Sequence, residues 1–333
     1  MPHVVAAPDK FRGTATAAQV AGAVARAAEA AGWTSDEAPV SDGGEGFCEV
    51  IGGRVRTLRV HGPLGDPVRA EWRLRDSPFA VGQTQAVIEM ALASGLELAG
   101  GAEGNDPIRA DTTGTGQLIA AAVGAGARRV LVGMGGSATT DGGLAAVDVL
   151  EPHSRLAGVE ILVACDVTTR FVDAAAVFAP QKGASPAQVA LLTRRLERLV
   201  QLYESRFGVD VRALEGSGAA GGLAGGLAAL GANLVPGFDL VADTIELADR
   251  IEGADLVVTG EGFLDDQSFS GKAVGGVAGL AAGAGVPLLV VAGEAFGDPP
   301  VAHESLVTRF GRERAMGATL ECITEVVVER LRA

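Results

Sequence analysis

Two α/β domains built on largely parallel sheets are what this sequence predicts, and three observations carry that prediction. Short apolar, β-branched runs alternate with Ala-rich helical stretches along most of the chain, the pattern of strands joined through crossover helices. The length of 333 residues is more than a single core usually fills. Between residues 54 and 74 the rhythm changes to an apolar/polar period of two, broken by Gly62-Pro63 and Gly65-Asp66-Pro67, which signals an antiparallel ribbon and a second domain.

Taken in order, residues 3–7 read as a short apolar strand, Pro8-Asp9-Lys10-Phe11-Arg12-Gly13 turns the chain, and 16–31 is a helix capped by Thr14 or Thr16. Ala38-Pro39-Val40 reads as the next strand; it runs into Ser41-Asp42-Gly43-Gly44-Glu45-Gly46 and a short helix at 47–51. Beyond the ribbon, 86–90 is a strand, and Asp111-Thr112-Thr113-Gly114-Thr115-Gly116 leads to a helix at 117–124. The run 129–132 is short and β-branched, as buried strands are, and breaks into Gly135-Gly136-Ser137-Ala138-Thr139-Thr140-Asp141-Gly142-Gly143 before a helix at Leu144. Such a turn offers backbone N–H groups and a helix N-terminus to an anion. Equally, its glycines relieve sterics and Asp141 caps the helix. Further strands are expected at 158–163, closing on Cys165-Asp166, at 254–259, closing on Gly260-Glu261-Gly262, and at 286–291; 187–207 is an amphipathic helix and 320–331 a terminal one.

Composition excludes several function classes. A net charge of −14 argues against a nucleic-acid groove, which needs clustered Lys and Arg. Cys48, Cys165 and Cys322 lie far apart, and the start Met1-Pro2-His3-Val4-Val5 lacks a charged region followed by an apolar one, so a reduced cytoplasm is the expected location. The uncharged stretches 216–238 and 273–293 are rich in Gly and Ala and broken by Pro236 and Pro287, so no membrane span is expected. His3, His61, His153 and His303 are scattered, which removes a zinc site or a histidine-based triad. Residues 216–221 match G-x-G-x-x-G, but the charged 209–215 before them lacks the buried strand that the dinucleotide fingerprint needs.

What remains is a set of expected strand-end loops that each pair glycine or hydroxyl with carboxylate: Asp42-Gly43-Gly44-Glu45, the 135–141 turn, Asp166, and Gly260-Glu261-Gly262 with Asp265 and Asp266. Phosphoryl transfer asks for such a set. Backbone N–H groups hold phosphate oxygens, carboxylates hold Mg²⁺, one carboxylate takes the acceptor hydroxyl's proton, and a few cations neutralise developing charge. Lys10, Arg12 and Lys182 are the candidate cations.

These loops resemble those of the type I glycerate kinase family, bacterial ATP-dependent kinases. The likeness is carried nearly end to end by Ala7-Pro8-Asp9-Lys10-Phe11-Arg12-Gly13, Ser41-Asp42-Gly43-Gly44-Glu45-Gly46, Ile88-Glu89-Met90, Gly114-Thr115-Gly116, Gly135-Gly136-Ser137-Ala138-Thr139, Val163-Ala164-Cys165-Asp166-Val167, Phe178-Ala179-Pro180-Gln181-Lys182-Gly183-Ala184, and Thr259-Gly260-Glu261-Gly262 with Leu264-Asp265. It implies a Rossmann-like parallel-sheet domain formed by both chain ends (residues 1–75 and 240–333), an inserted mixed α/β domain (76–239), and a site in the cleft. The implied activity is ATP- and Mg²⁺-dependent phosphorylation of D-glycerate to 2-phosphoglycerate. Asp42 or Asp166 would be the base, and Lys10, the third catalytic candidate, would bind the glycerate carboxylate or the γ-phosphate. Asp9, Arg12, Gly43, Gly44 and Lys182 would bind substrate. Gly135, Gly136, Ser137, Ala138 and Thr139, with Gly114 and Gly116, would hold phosphate, and Asp265 or Glu261 would hold the metal. Asp42, the 135–139 loop, Asp166, Asp265 and Lys10 are expected to converge.

The chain departs from the family pattern in three places. It is shorter between residues 146 and 156, it has Thr168-Thr169-Arg170-Phe171-Val172-Asp173 where an Asn-Pro-Leu loop is typical, and Phe263 stands where arginine is common. These leave open a kinase for another small hydroxy acid, or a ligand-binding relative without catalysis.

Overall fold

The computed structural model describes residues 1–80, 82–269, 272–297 and 299–333. Among them the strands are β1 (His3–Ala6), β2 (Thr34–Glu37), β3 (Arg54–His61), β4 (Pro67–Asp76), β5 (Thr84–Glu89), β6 (Ala127–Gly133), β7 (Glu160–Ala164), β8 (Asn233–Val235), β9 (Leu256–Leu264), β10 (Leu288–Ala295) and β11 (His303–Ser305). They form two sheets in two compact units.

The first unit comprises Met1–Asp42, Glu49–Ile51 and Phe238–Ala333. Its sheet runs β11-β10-β9-β1-β2 with every neighbouring pair parallel. Numbered within the unit this is a doubly wound order that reverses between β1 and β9. Val4, Val5, Ala6 and Ala7 are all fully buried, because both faces of the sheet are covered. One face packs on Val20, Val24 and Ala27 of helix Ala17–Ala31 and on Val326 and Val327 of helix Thr319–Arg332; the other packs on Leu247, Ile251, Ala273 and Val277. Thr16 starts helix Ala17–Ala31 with a capping box shared with Gln19, and Gly32 ends it at φ 76°. Of the two expected caps, Thr14 instead donates to Phe11 O.

The strand expected at 38–40 begins earlier. Thr34–Glu37 is the pairing segment, a polar edge strand bound to β1 in register. Ala38 and Val40 are the buried continuation: Ala38 N donates to Ala6 O (2.8 Å) and Val40 N to Pro8 O (2.9 Å), which carries Ser41 and Asp42 alongside the residues after β1.

The second unit comprises Gly43–Cys48 and Gly52–Gly237. Its sheet runs β3-β4-β5-β6-β7-β8; β4 is antiparallel to β3 and β5, and the remaining pairs are parallel. The boundary expected at 75/76 is displaced, since the ribbon β3/β4 pairs with β5 and sends Val60, Ala70 and Trp72 into the same core as Ile88, Leu118 and Val130. Helix Pro186–Phe207 opens with a Ser185/Gln188 capping box and buries Leu192, Leu196, Leu199, Val200 and Tyr203 at helical spacing. Among the described residues no helix is long and apolar enough to cross a membrane.

Candidate active site

In the first unit, the backbone just past β1 is tied to β9. Ala7 N donates to Val258 O (2.8 Å), Asp9 N to Gly260 O (2.9 Å) and Thr259 Oγ1 to Ala7 O (2.7 Å). This is the point where the strand order reverses, and such points open a crevice at the carboxyl ends of the strands. Four carboxylates, Asp9, Asp42, Glu261 and Asp265, and three cations, Lys10, Arg12 and Lys272, line a cavity of about 240 Å³ there, with Ser268 and Phe263 at its wall. Lys10 Nζ lies 3.6 Å from Asp9 Oδ1 and 3.9 Å from Asp42 Oδ1, bridging two carboxylates. Close backbone approach makes this possible: a Cβ on Gly260 would sit 1.8 Å from Val291 O, and one on Gly262 would sit 2.9 Å from Arg12 N.

The electrostatics of the cavity are those of a site short of positive charge. Burial pushes the Asp9 carboxyl up to about 6, against the pull of Lys10 and with help from Asp42. Burial likewise pushes Glu261 up to about 7, with Asp9 adding to the rise. Glu261 Oε1 is buried and, among the described residues, has no hydrogen-bond partner. A cation would satisfy that oxygen and return both carboxyls toward their ordinary range, so the donor set fits a hard divalent ion. Among the described residues no three His, Cys, Asp or Glu cluster as a complete metal cage; Mg²⁺ in kinases needs only one or two carboxylates, because phosphates and water supply the rest. Asp265 is tied to Ser268: its Oδ1 accepts Ser268 N (3.1 Å) and Asp265 N donates to Ser268 Oγ (3.0 Å).

A stability test follows from Glu261. Its carboxyl titrates near 7 in the fold against 4.5 ordinarily, so the folded state holds an extra proton between those values, and stability falls as pH rises through 7. Glu261→Gln removes that loss. In metal-free buffer the variant's melting temperature is expected to gain on the wild type by about 2–4 °C or more between pH 5 and pH 8, the shift that roughly one kcal/mol makes in a domain of this size. A constant difference across that range would show that Glu261 does not titrate there.

In the second unit, the 135–139 loop is stitched in place. Leu96 N donates to Gly136 O (2.8 Å) and Ala138 N to Ser94 O (3.0 Å), so the Ala138 N–H is committed to the fold. Lys182 is only 3% exposed and donates to Ser137 Oγ (2.7 Å) and Thr139 O (2.6 Å); burial drags its ammonium down to about 7, with Asp141 opposing. Lys182 thus braces the loop. Asn105 completes the brace by donating to Ala138 O (3.1 Å) and Lys182 O (2.9 Å). Asp141 holds the turn rather than capping the helix, whose N-cap is Gly143: it accepts from Gly143 N (3.1 Å), Thr112 N (3.0 Å) and Thr112 Oγ1 (2.8 Å). Gly43 and Gly44 pass over strand ends, where a Cβ on Gly43 would meet Ala164 Cβ at 2.7 Å and one on Gly135 would meet Gly44 Cα at 2.6 Å.

Two expectations change. Gly114 and Gly116 lie inside helix Thr113–Gly124 and are buried. A Cβ on Gly114 would meet His61 O at 2.1 Å and one on Gly116 Ala146 Cα at 2.8 Å, so close packing accounts for both. Asp166 is exposed, and its Oδ1 accepts Gly237 N (2.7 Å) at the start of helix Gly237–Thr244, which is a cap. Sequence reasoning gave no role to Lys272, Asn105 or Glu89. Glu89 is 8% exposed at the end of β5 and accepts Gly46 N (2.8 Å), anchoring the glycine loop that follows Asp42. Its signal was the one shared by the other loops, a carboxylate closing an apolar strand.

The family model described as the glycerate kinase family matches residues 4–151 and 144–321. This chain belongs to the glycerate kinase family. It is 42% identical to an uncharacterized protein, MT2261, of Mycobacterium tuberculosis, across 88% of this chain and 79% of that one. It is 37% identical to the glycerate 2-kinase of Escherichia coli, across 90% and 87%. The crystal structure of a putative glycerate kinase 2 from Salmonella typhimurium superposes with a TM-score of 0.83 at 33% identity, covering 99% of this chain and 96% of the other. Membership of this kinase family gives the cavity at the β1/β9 reversal a chemical context, because its carboxylates and cations are the groups that phosphoryl transfer uses.

Proposed function

We propose that this protein transfers the γ-phosphoryl group of Mg·ATP to D-glycerate, giving 2-phosphoglycerate. The observation that carries the reading is Lys10 held between Asp9 and Asp42 in a cavity that also presents Arg12, Lys272 and Glu261. In it Asp42 takes the proton of the attacking hydroxyl, and Lys10, Arg12 and Lys272 neutralise charge on the transferring phosphoryl group as the bond to ADP breaks. Glu261 and Asp265 are the proposed holders of Mg²⁺, which when bound would offset negative charge on the phosphate groups. Taken by itself, the 135–139 loop braced by Lys182 is proposed as a cradle for phosphate. The 2-hydroxyl as acceptor is supported by the likeness to the glycerate 2-kinase of Escherichia coli.

A coupled assay of ADP release across a panel of small hydroxy acids tests this, with the product position read by ³¹P NMR. D-Glycerate is expected to give the highest kcat/KM. Turnover with another acid but not with D-glycerate would reassign the substrate, and magnesium-independent turnover would remove the metal from the reading.

A further inference from the structure

Two half-exposed phenylalanines stand beside the charged cavity. Phe263 is 45% exposed and Phe296 49% exposed, their ring centroids are 6.3 Å apart, and their planes lie within 25° of parallel. Phe263 is near the end of β9, and Phe296 follows directly on β10, tied back by Phe296 N donating to Leu264 O (2.8 Å). Both rings therefore sit at the carboxyl ends of adjacent parallel strands, the edge where α/β sheets take their ligands. Among the described residues that line the cavity, Phe263 is the aromatic one. Scattered exposed apolar residues need no explanation, but a stacked pair on the wall of a polar cavity is a surface with a preferred partner, one that is flat and π-bearing. The cavity, at about 240 Å³, falls below the range that encloses a drug-sized ligand, so a nucleoside triphosphate with its phosphates there extends beyond it.

We propose that the Phe263/Phe296 pair is the seat of the nucleobase of the phosphoryl donor, the triphosphate reaching from it into the cavity of Lys10, Arg12 and Lys272. This rests on the kinase reading above in taking a nucleoside triphosphate as the donor. The test is titration calorimetry of magnesium-bound ATP and of magnesium-bound inorganic tripolyphosphate with the wild type, Phe263→Leu and Phe296→Leu, Leu keeping apolar bulk without a π face. Each variant is expected to lose about ten-fold in affinity for ATP, the range that base–aromatic stacking commands, and to keep its affinity for tripolyphosphate. Phe296→Tyr, which restores the ring, is expected to restore ATP binding. Equal losses for both ligands would mean the pair only shapes the cavity, and unchanged ATP binding would mean the base lies elsewhere; either overturns the proposal. Because binding is read without turnover, a wild type that stacks ATP but phosphorylates no glycerate would fail the substrate assignment alone. A wild type that phosphorylates glycerate while both variants bind ATP normally would fail the stacking alone.

Discussion

Asp42→Asn is expected to lower kcat by at least about 10²-fold, the usual cost of losing a general base, while the protein melts within a few degrees of the wild type. The amide keeps the shape of the carboxylate but accepts no proton, and it leaves Lys10 with Asp9 as its remaining partner of the two. Steady-state kinetics at saturating ATP and acid, with a thermal melt on the same preparation, separate chemistry from folding. Asp166→Asn is the control: the side-chain oxygen that accepts Gly237 N survives the change, so kcat should stay within about three-fold, since amide and carboxylate are comparable caps. The reverse ranking would move the base to Asp166.

Gly260→Ala should have the largest effect on the fold. The added carbon would sit 1.8 Å from Val291 O, the carbonyl of its neighbour in the β9/β10 pairing, where no flexible side chain can move aside. Relief requires β9 and β10 to part, and β9 also carries Glu261 and Gly262. Overpacking of this severity costs about 3 kcal/mol, or roughly 6–12 °C in melting temperature. Gly253→Ala provides the comparison: nothing lies within 4 Å of its added carbon and its φ is −91°, so its melting temperature should hold or rise slightly. Equal melting of both variants would mean that the sheet yields at Gly260 more readily than a parallel ladder should.

What could be read from the sequence was what repeats locally. β1, β6, β7 and β10 are apolar runs buried in the sheets, and such runs need no knowledge of their neighbours to be recognised. β2 is the contrary case: Thr34–Glu37 is all polar and mostly exposed, and only its pairing with β1 makes it a strand. The candidate site divides the same way. Asp9, Asp42 and Glu261, which line the cavity, stand beside a proline or glycines at strand ends, a local pattern that can be seen without the fold. The burial that turns Lys182 from a solvent-facing cation into a brace arises from Ser137 and Thr139, over 40 positions away, and no local pattern announces it. Gly114 and Gly116 resembled a phosphate turn because helix packing and anion binding both ask for a missing side chain.

The pairing of β1 with β9 also bears on how the chain is made. Thr259 reaches Ala7 across 252 positions, and every strand of the first unit except β1 and β2 is translated after the whole of the second. At bacterial-like rates of about 5–20 residues per second, β1 leaves the ribosome roughly 13–50 seconds before its partner exists. Through that interval a run destined for burial on both faces has one polar edge strand and one helix for shelter. A premature stop anywhere before β9 leaves β1 paired with β2 alone.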